Sequence, residues 1–235
     1  MSEATEDLRP PLFLFTPSTD FVRPYFERYM PEYRITDTPD DAKAAVMIST
    51  TAVYDVTEGS NFNELTAVKD ESEEIAEEKH FANICRKAGL PTTILRCADI
   101  VCTGMNGRPR EMAQKIYRGT YIALDGNDAR MSVVHAVSLP DAARAVIGNN
   151  DIYNVSDGTD PTINEFAEAL AWRIAQKRIF SLKPKWYKLL FGKKKLEEVN
   201  RTLTFSCEKI RTTGKFTPVS VTEYLKTHVY DQESL

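Results

Sequence analysis

The sequence predicts an α/β protein, a mostly parallel sheet flanked by helices, because buried-type strands and amphipathic helices alternate along it. Apolar runs suited to buried strands occur at Leu12–Phe15 and Ala44–Ile48, and Thr92–Arg96 is a further run rich in strand-forming residues. Helical spacing separates them: Phe21, Val22, Tyr25, Phe26 and Tyr29 share one stripe, and Phe81, Ile84, Cys85 and Ala88 another. A third helix, with Ile163, Phe166, Ala167, Leu170, Ala171 and Ile174 on one face, opens at a capping box, Thr162 with Glu165.

In chain order, the first strand passes through Thr16-Pro17-Ser18-Thr19-Asp20 into the first helix. Tyr33-Arg34-Ile35 is a short candidate strand. Thr38, Pro39, Asp40 and Asp41 read as the cap and first turn of a short helix before the Ala44–Ile48 strand. An acidic helix follows over 70–88, closed by Gly89. Beyond the Thr92 strand come a helix over 110–119, a strand at Tyr121–Leu124, a polar turn at 125–130 and a strand at Ser132–His135. Ser138 with Asp141 reads as a further cap, and Ser220 with Glu223 opens the last helix.

At 235 residues and a net charge of −4, the chain has room for a large core and no bulk charge to attract nucleic acid. No apolar run approaches a membrane span, and Met1–Asp7 is acidic and polar, unlike a targeting leader. Cys85, Cys97, Cys102 and Cys207 form no Cys-x-x-Cys pair, and His80, His135 and His228 share no ligand spacing. The expectation is a reduced, cytoplasmic protein without a metal.

Ser49-Thr50, then Val53-Tyr54, then Lys79 resemble the catalytic segment of the NAD-dependent epimerase/dehydratase family, the extended short-chain dehydrogenase/reductases. There a Ser/Thr stands three residues before Val-Tyr-Gly, with a Tyr-x-x-x-Lys further on. Thr50 falls on the Ser/Thr, Lys79 on the Lys and Ile75 on the Tyr. The family's glycine-rich Thr-Gly-x-x-Gly-Phe-Ile-Gly falls on Thr16 to Arg23, where Pro17, Asp20 and Arg23 replace the glycines. The region from Gly126 through Arg130 and His135 to Tyr153-Asn154-Val155 is similar as well, with Arg130 on the arginine that contacts the sugar-nucleotide diphosphate.

The resemblance implies a Rossmann-like core over residues 1–103, reduced in its N-terminal half. It implies a substrate-type region over 104–235 that returns residues 132–155 to the core. It implies NAD or NADP as cofactor, with Thr16 near it, Thr50 and Lys79 as catalytic positions, and Arg130 and Thr50 as substrate contacts. The substitutions argue against that chemistry. Proline fixes φ and lacks a donor, Asp20 puts negative charge where a diphosphate would sit, and Ile75 has no proton to transfer.

The expectation is therefore a catalytically degenerate relative, a pseudoenzyme, still binding a nucleotide sugar or related phosphate ligand. An active NAD(P)-dependent epimerase, dehydratase or reductase is the first alternative, and an interaction or scaffold protein the second. Oligomeric state is left open. For the basic, aromatic stretch 177–195, interrupted by Pro184 and Gly192, a substrate lid with snorkelling lysines and a membrane-surface contact are the two readings.

Overall fold

The computed structural model describes residues 8–175 and 178–227; Met1–Asp7, Lys177 and His228 lie outside them. In chain order the elements are β1 (Pro11–Phe15), α1 (Arg23–Tyr29), β2 (Arg34–Thr36), β3 (Ala44–Thr50), β4 (Gly59–Phe62) and α2 (Glu73–Ala88). Then follow β5 (Thr92–Cys97), β6 (Asp99–Val101), α3 (Gly107–Tyr117), β7 (Ile122–Leu124), β8 (Val133–His135), α4 (Leu139–Val146) and β9 (Asp151–Val155). The chain continues through α5 (Ile163–Ala175), β10 (Phe180–Leu182), α6 (Pro184–Val199), β11 (Leu203–Phe205), α7 (Glu208–Arg211) and α8 (Val221–Thr227).

Five strands form one parallel sheet in the order β2-β1-β3-β5-β9. Three two-stranded pairs, β10 with β7, β11 with β4 and β6 with β8, lie outside it. The period-two alternation of strands sorts the main-sheet side chains between two covers. Leu12, Leu14, Val46, Ile48 and Leu95 join Tyr25 and Phe26 of α1 and Leu139 and Ala143 of α4 in the larger core. Phe13, Ala45, Met47 and Ile94 face the other way, onto Phe81 and Cys85 of α2. This is the α/β, Rossmann-like arrangement that the sequence predicts.

The sheet is short on its N-terminal side. Only α1 and β2 separate β1 from β3, and β3 pairs directly with β1, Leu14 beside Val46. The strand that carries Thr50 is thus next door to the strand that leads into the Thr16 turn.

Three local readings change. The segment from Thr38 is a turn, closed by the Ala42 N–H on the Pro39 carbonyl at 3.1 Å, and not a helix. So few residues join β2 to β3 that no helix could nucleate there, and Ala42 is buried under α2 instead. The acidic helix starts at Glu73, not Asp70, because the Ser72 hydroxyl caps it by accepting the Ile75 N–H at 3.2 Å. Ser138 does not cap α4 through its side chain; its hydroxyl accepts the Val219 N–H at 3.1 Å and ties the C-terminal segment to the core. The capping box at Thr162 does form, with reciprocal hydrogen bonds of 3.1 and 2.8 Å to Glu165, and Gly89 ends α2 at φ +66°.

Candidate functional site

In an open parallel sheet ligands collect beyond the carboxyl ends of the strands, where the order reverses, here between β1 and β3. Two features meet that edge: the turn after β1 and a cavity at the end of β3.

The turn is held shut by its own side chains. The Thr16 hydroxyl donates to Asp20 Oδ1 at 3.3 Å, and the Thr19 hydroxyl to the Ile48 carbonyl of β3 at 3.1 Å. Ser18 Oγ donates to Glu77 Oε2 of α2 at 3.0 Å, and Asn106 Nδ2 to the Ser18 carbonyl at 3.1 Å. Arg23 pairs with Asp37 and lies 3.7 Å from Asp20. Several groups of this turn are thus engaged within the protein. Pro17 offers no N–H, Asp20 repels, and the Thr19 and Val22 N–H groups bond the Thr16 and Thr19 carbonyls.

The cavity, about 280 Å³, is lined by Thr50, Lys69, Asp99, Arg108, Ser132 and Phe205 among others. Thr50 Oγ1 accepts the Ala52 N–H at 3.1 Å, so its own proton remains to be donated. Lys69 Nζ donates to the Ala52 carbonyl at 2.9 Å and Arg108 Nε to Asp99 Oδ2 at 3.2 Å, each keeping further donors. Burial pushes the Asp99 carboxyl up from its ordinary value although a third of the side chain meets solvent, and the Arg108 guanidinium opposes that shift. Ser132 donates to Asp160 Oδ1 at 2.5 Å and accepts the Phe205 N–H at 2.9 Å.

The predicted residues are not all brought to this place. Thr50 lines the cavity, whereas Lys79 does not; it is exposed, with Nζ 3.5 Å from the Asp70 carbonyl. Ile75 is buried with Val53, Tyr54 and Phe205. Glu78 shares its inward side, and Lys79, one turn beyond Ile75, does not. At about 100° per residue the centre of the buried face, set by Phe81 and Cys85, falls near Glu78, and Lys79 lies well outside it. Arg130 is exposed and donates to the Asp160 carbonyl at 2.8 Å. Thr16 is buried in the closed turn.

Beneath the cavity runs a polar frame absent from the sequence reading. Glu78 Oε1 accepts from Ser49 Oγ at 2.7 Å and from Arg96 Nε at 3.0 Å, while Oε2 accepts Arg96 Nη2 at 2.7 Å. The guanidinium lies 5.0 Å from the Tyr54 ring centre. Tyr54 donates to Asn154 Oδ1 at 2.6 Å, and the Asn154 N–H reaches Glu64 Oε1 at 2.8 Å. Burial raises the Tyr54 phenol, partly opposed by Arg96, and its proton is committed to Asn154. The signal for Glu78 was present in the spacing, since stepping back three residues from Phe81 along the apolar stripe lands on it. Lys69 and Arg108 carried no such signal; folding of loop and helix brings them together.

Replacing Ile75 with tyrosine tests whether one lost group explains the site. Ile75→Tyr is expected to show no hydride transfer by nicotinamide absorbance. It also lowers stability by about 1–3 kcal/mol, as overpacking among Val53, Tyr54 and Phe205 requires. Turnover in this variant would overturn the reading of the closed turn.

This arrangement is that of a Rossmann-like α/β protein, and solved structures give it a more particular likeness. The chain has the fold of the NAD-dependent epimerases and dehydratases of the short-chain dehydrogenase type. It is similar to UDP-N-acetylglucosamine 4-epimerase from Bacillus cereus (TM-score 0.64, 14% identity, covering 94% of this chain and 95% of that one). It is also similar to dTDP-glucose 4,6-dehydratase from Bacillus anthracis str. Ames in complex with NAD (0.63, 12%, 94% and 95%). A third likeness is RMD from Pseudomonas aeruginosa complexed with NADPH (0.62, 13%, 94% and 100%). No protein-family profile and no curated protein matches the sequence.

Proposed function

We propose that this protein is a repurposed relative of the epimerases and dehydratases, a pseudoenzyme toward dinucleotide redox chemistry that binds a nucleotide sugar or related phosphate ligand. The observation that carries the reading is the turn after β1, where Thr16, Ser18, Thr19 and Asn106 bond to neighbouring protein groups and Asp20 adds negative charge. These residues do not fit a dinucleotide diphosphate, which needs open N–H groups and close backbone approach.

The cavity beside β3 has the opposite character. Thr50 supplies a hydroxyl, and Lys69 and Arg108 supply cations whose remaining donors suit phosphate or sugar oxygens. Arg130, exposed two residues before Ser132, adds a third cation once it releases the Asp160 carbonyl. The reading involves no proton or hydride transfer, only binding.

A thermal-shift screen of NAD, NADP and UDP-, dTDP- and GDP-sugars tests it. A sugar nucleotide at a hundredfold excess over its Kd stabilises by about 2.7 kcal/mol, or roughly 5–10 °C for a chain of this size. The dinucleotides are expected to give no shift, and Arg108→Ala to remove the response to the sugar nucleotide. A second reading, an active NAD(P)-dependent epimerase or dehydratase, draws on the neighbours that hold NAD and NADPH; stabilisation by a dinucleotide would select it. No shift with any compound would select a scaffold role.

A further inference from the structure

Helix α6 turns an apolar ridge outward. Its buried residue is Tyr187, whose ring lies 4.7 Å from that of Phe191 on the inward side. That side borders a cavity of about 280 Å³ with Met112, Tyr121 and Ile163. Trp186, Leu189 and Leu190, at the i, i+3, i+4 spacing of a single helical stripe, lie on the other side and are 56%, 76% and 61% exposed. A lid over the cavity accounts for Tyr187 and Phe191. It leaves the outer stripe uncovered, and exposed apolar side chains grouped in this way mark a surface that something else contacts.

The charge around the ridge says what kind of surface. The chain carries −4 overall, yet residues 183–195 hold six lysines and no Asp or Glu. Lys193 and Lys195 pair with Glu197 and Glu198. Lys183, Lys185, Lys188 and Lys194 have no carboxylate partner among the described residues. Pro184 opens the helix at its first position, where a missing N–H costs nothing, so it does not break the stretch as its sequence position suggested. Gly192, at φ +83° and ψ 168°, does interrupt it, which sets the Pro184–Phe191 segment apart as a short unit with an aromatic-aliphatic stripe bordered by lysines. Among the described residues no helix is long and apolar enough to cross a membrane.

We propose that the outer face of α6 docks the protein onto an anionic lipid bilayer surface. Trp186, Leu189 and Leu190 enter the boundary between headgroups and acyl chains, and the flanking lysines lie against anionic headgroups. Tryptophan suits that depth, having an apolar ring and one donor that stays wet. A second copy of the chain fits the face poorly, because a two-fold contact would set one row of unpaired lysines against the same row of its partner.

The full chain carrying Trp172→Phe leaves Trp186 as the sole tryptophan. Mixed with phosphatidylcholine vesicles with and without phosphatidylglycerol, it is expected to co-sediment only with the anionic ones, with a blue shift of Trp186 emission and weakening by salt. Leu189→Glu lowers that partition by about tenfold or more, since it replaces a buried apolar chain by a charge of the membrane's own sign. Each lysine changed to alanine lowers it about fivefold. Because these side chains are exposed, the variants should melt with the parent, which separates lost docking from lost folding. Failure to bind anionic vesicles, or equal binding to neutral ones, overturns the proposal. So does a concentration-dependent dimer in light scattering that Leu189→Glu abolishes, which would assign the face to self-association.

Discussion

Glu78→Ala is expected to destabilise the protein by about 3–5 kcal/mol, the usual cost of stranding one member of a buried ion pair. For a chain of this length that lowers the melting temperature by roughly 10 °C or more. Glu78 and Arg96 are each about 5% exposed, and the carboxylate takes two guanidinium hydrogen bonds and one from Ser49. Without it, Arg96 stays charged against the Tyr54 ring with no counterion at hand. Desolvation works against the charged guanidinium, and Glu78, followed by Tyr54, keeps its pKa above the ordinary arginine value. The pair itself is not the source of stability. Removing both charges together, as Glu78→Leu with Arg96→Met, should recover most of the loss, because similar-sized apolar groups avoid the desolvation of both ions. Calorimetry on the two variants separates these effects. A single mutant that melts with the parent would show that water or another carboxylate reaches Arg96.

Phe81→Ala is expected to cost about 3–5 kcal/mol as well, by a different route. Its ring is fully buried, 5.8 Å from Phe13 and stacked 5.4 Å from Phe15. With Cys85 it fastens α2 to the sheet face made by Phe13, Ala45, Met47 and Ile94. The opposite face is shared by α1, α4 and the large core, so a cavity there can be filled by several neighbours. Around Phe81 there are fewer groups to collapse inward, which places the loss toward the upper end of the range. Amide exchange should localise the effect, with α2 losing protection before α4. Equal loss of protection in both helices would mean that the two faces unfold as one unit.

Much of the fold was legible in the sequence because it follows from local periodicity. Leu12–Phe15 and Ala44–Ile48 are continuous apolar runs, and such runs belong to strands covered on both sides. Thr162 and Glu165 announced α5 by their own chemistry. The failures came where a residue's use depends on distant partners. Ser138 looked like a cap, but Val219, far along the chain, claims its hydroxyl. Thr38 to Asp41 had helix-start chemistry and no room for a helix. Glu78, beside Lys79 on α2, gave no sign of a buried role in the motif, and it is buried because Arg96 waits for it on β5. Of the candidate site, Thr50 was legible through its motif. Lys69, Arg108 and Ser132 were not, because they reach the cavity from a loop, a helix and a segment far apart in the chain.

The crevice beyond the carboxyl ends of β1 and β3 is crossed by side-chain bonds. In an open sheet that crevice exists because consecutive crossovers leave to opposite faces, and here α1 and α2 still do so. What closes it is a set of stitches from one loop: Thr19 to β3, Ser18 to α2, and Asn106 back to Ser18. None of these is a packed apolar contact, and each is a single hydrogen bond of modest net strength. The loop therefore acts as a clasp that joins the first βαβ unit to the remainder of the sheet through side-chain hydrogen bonds.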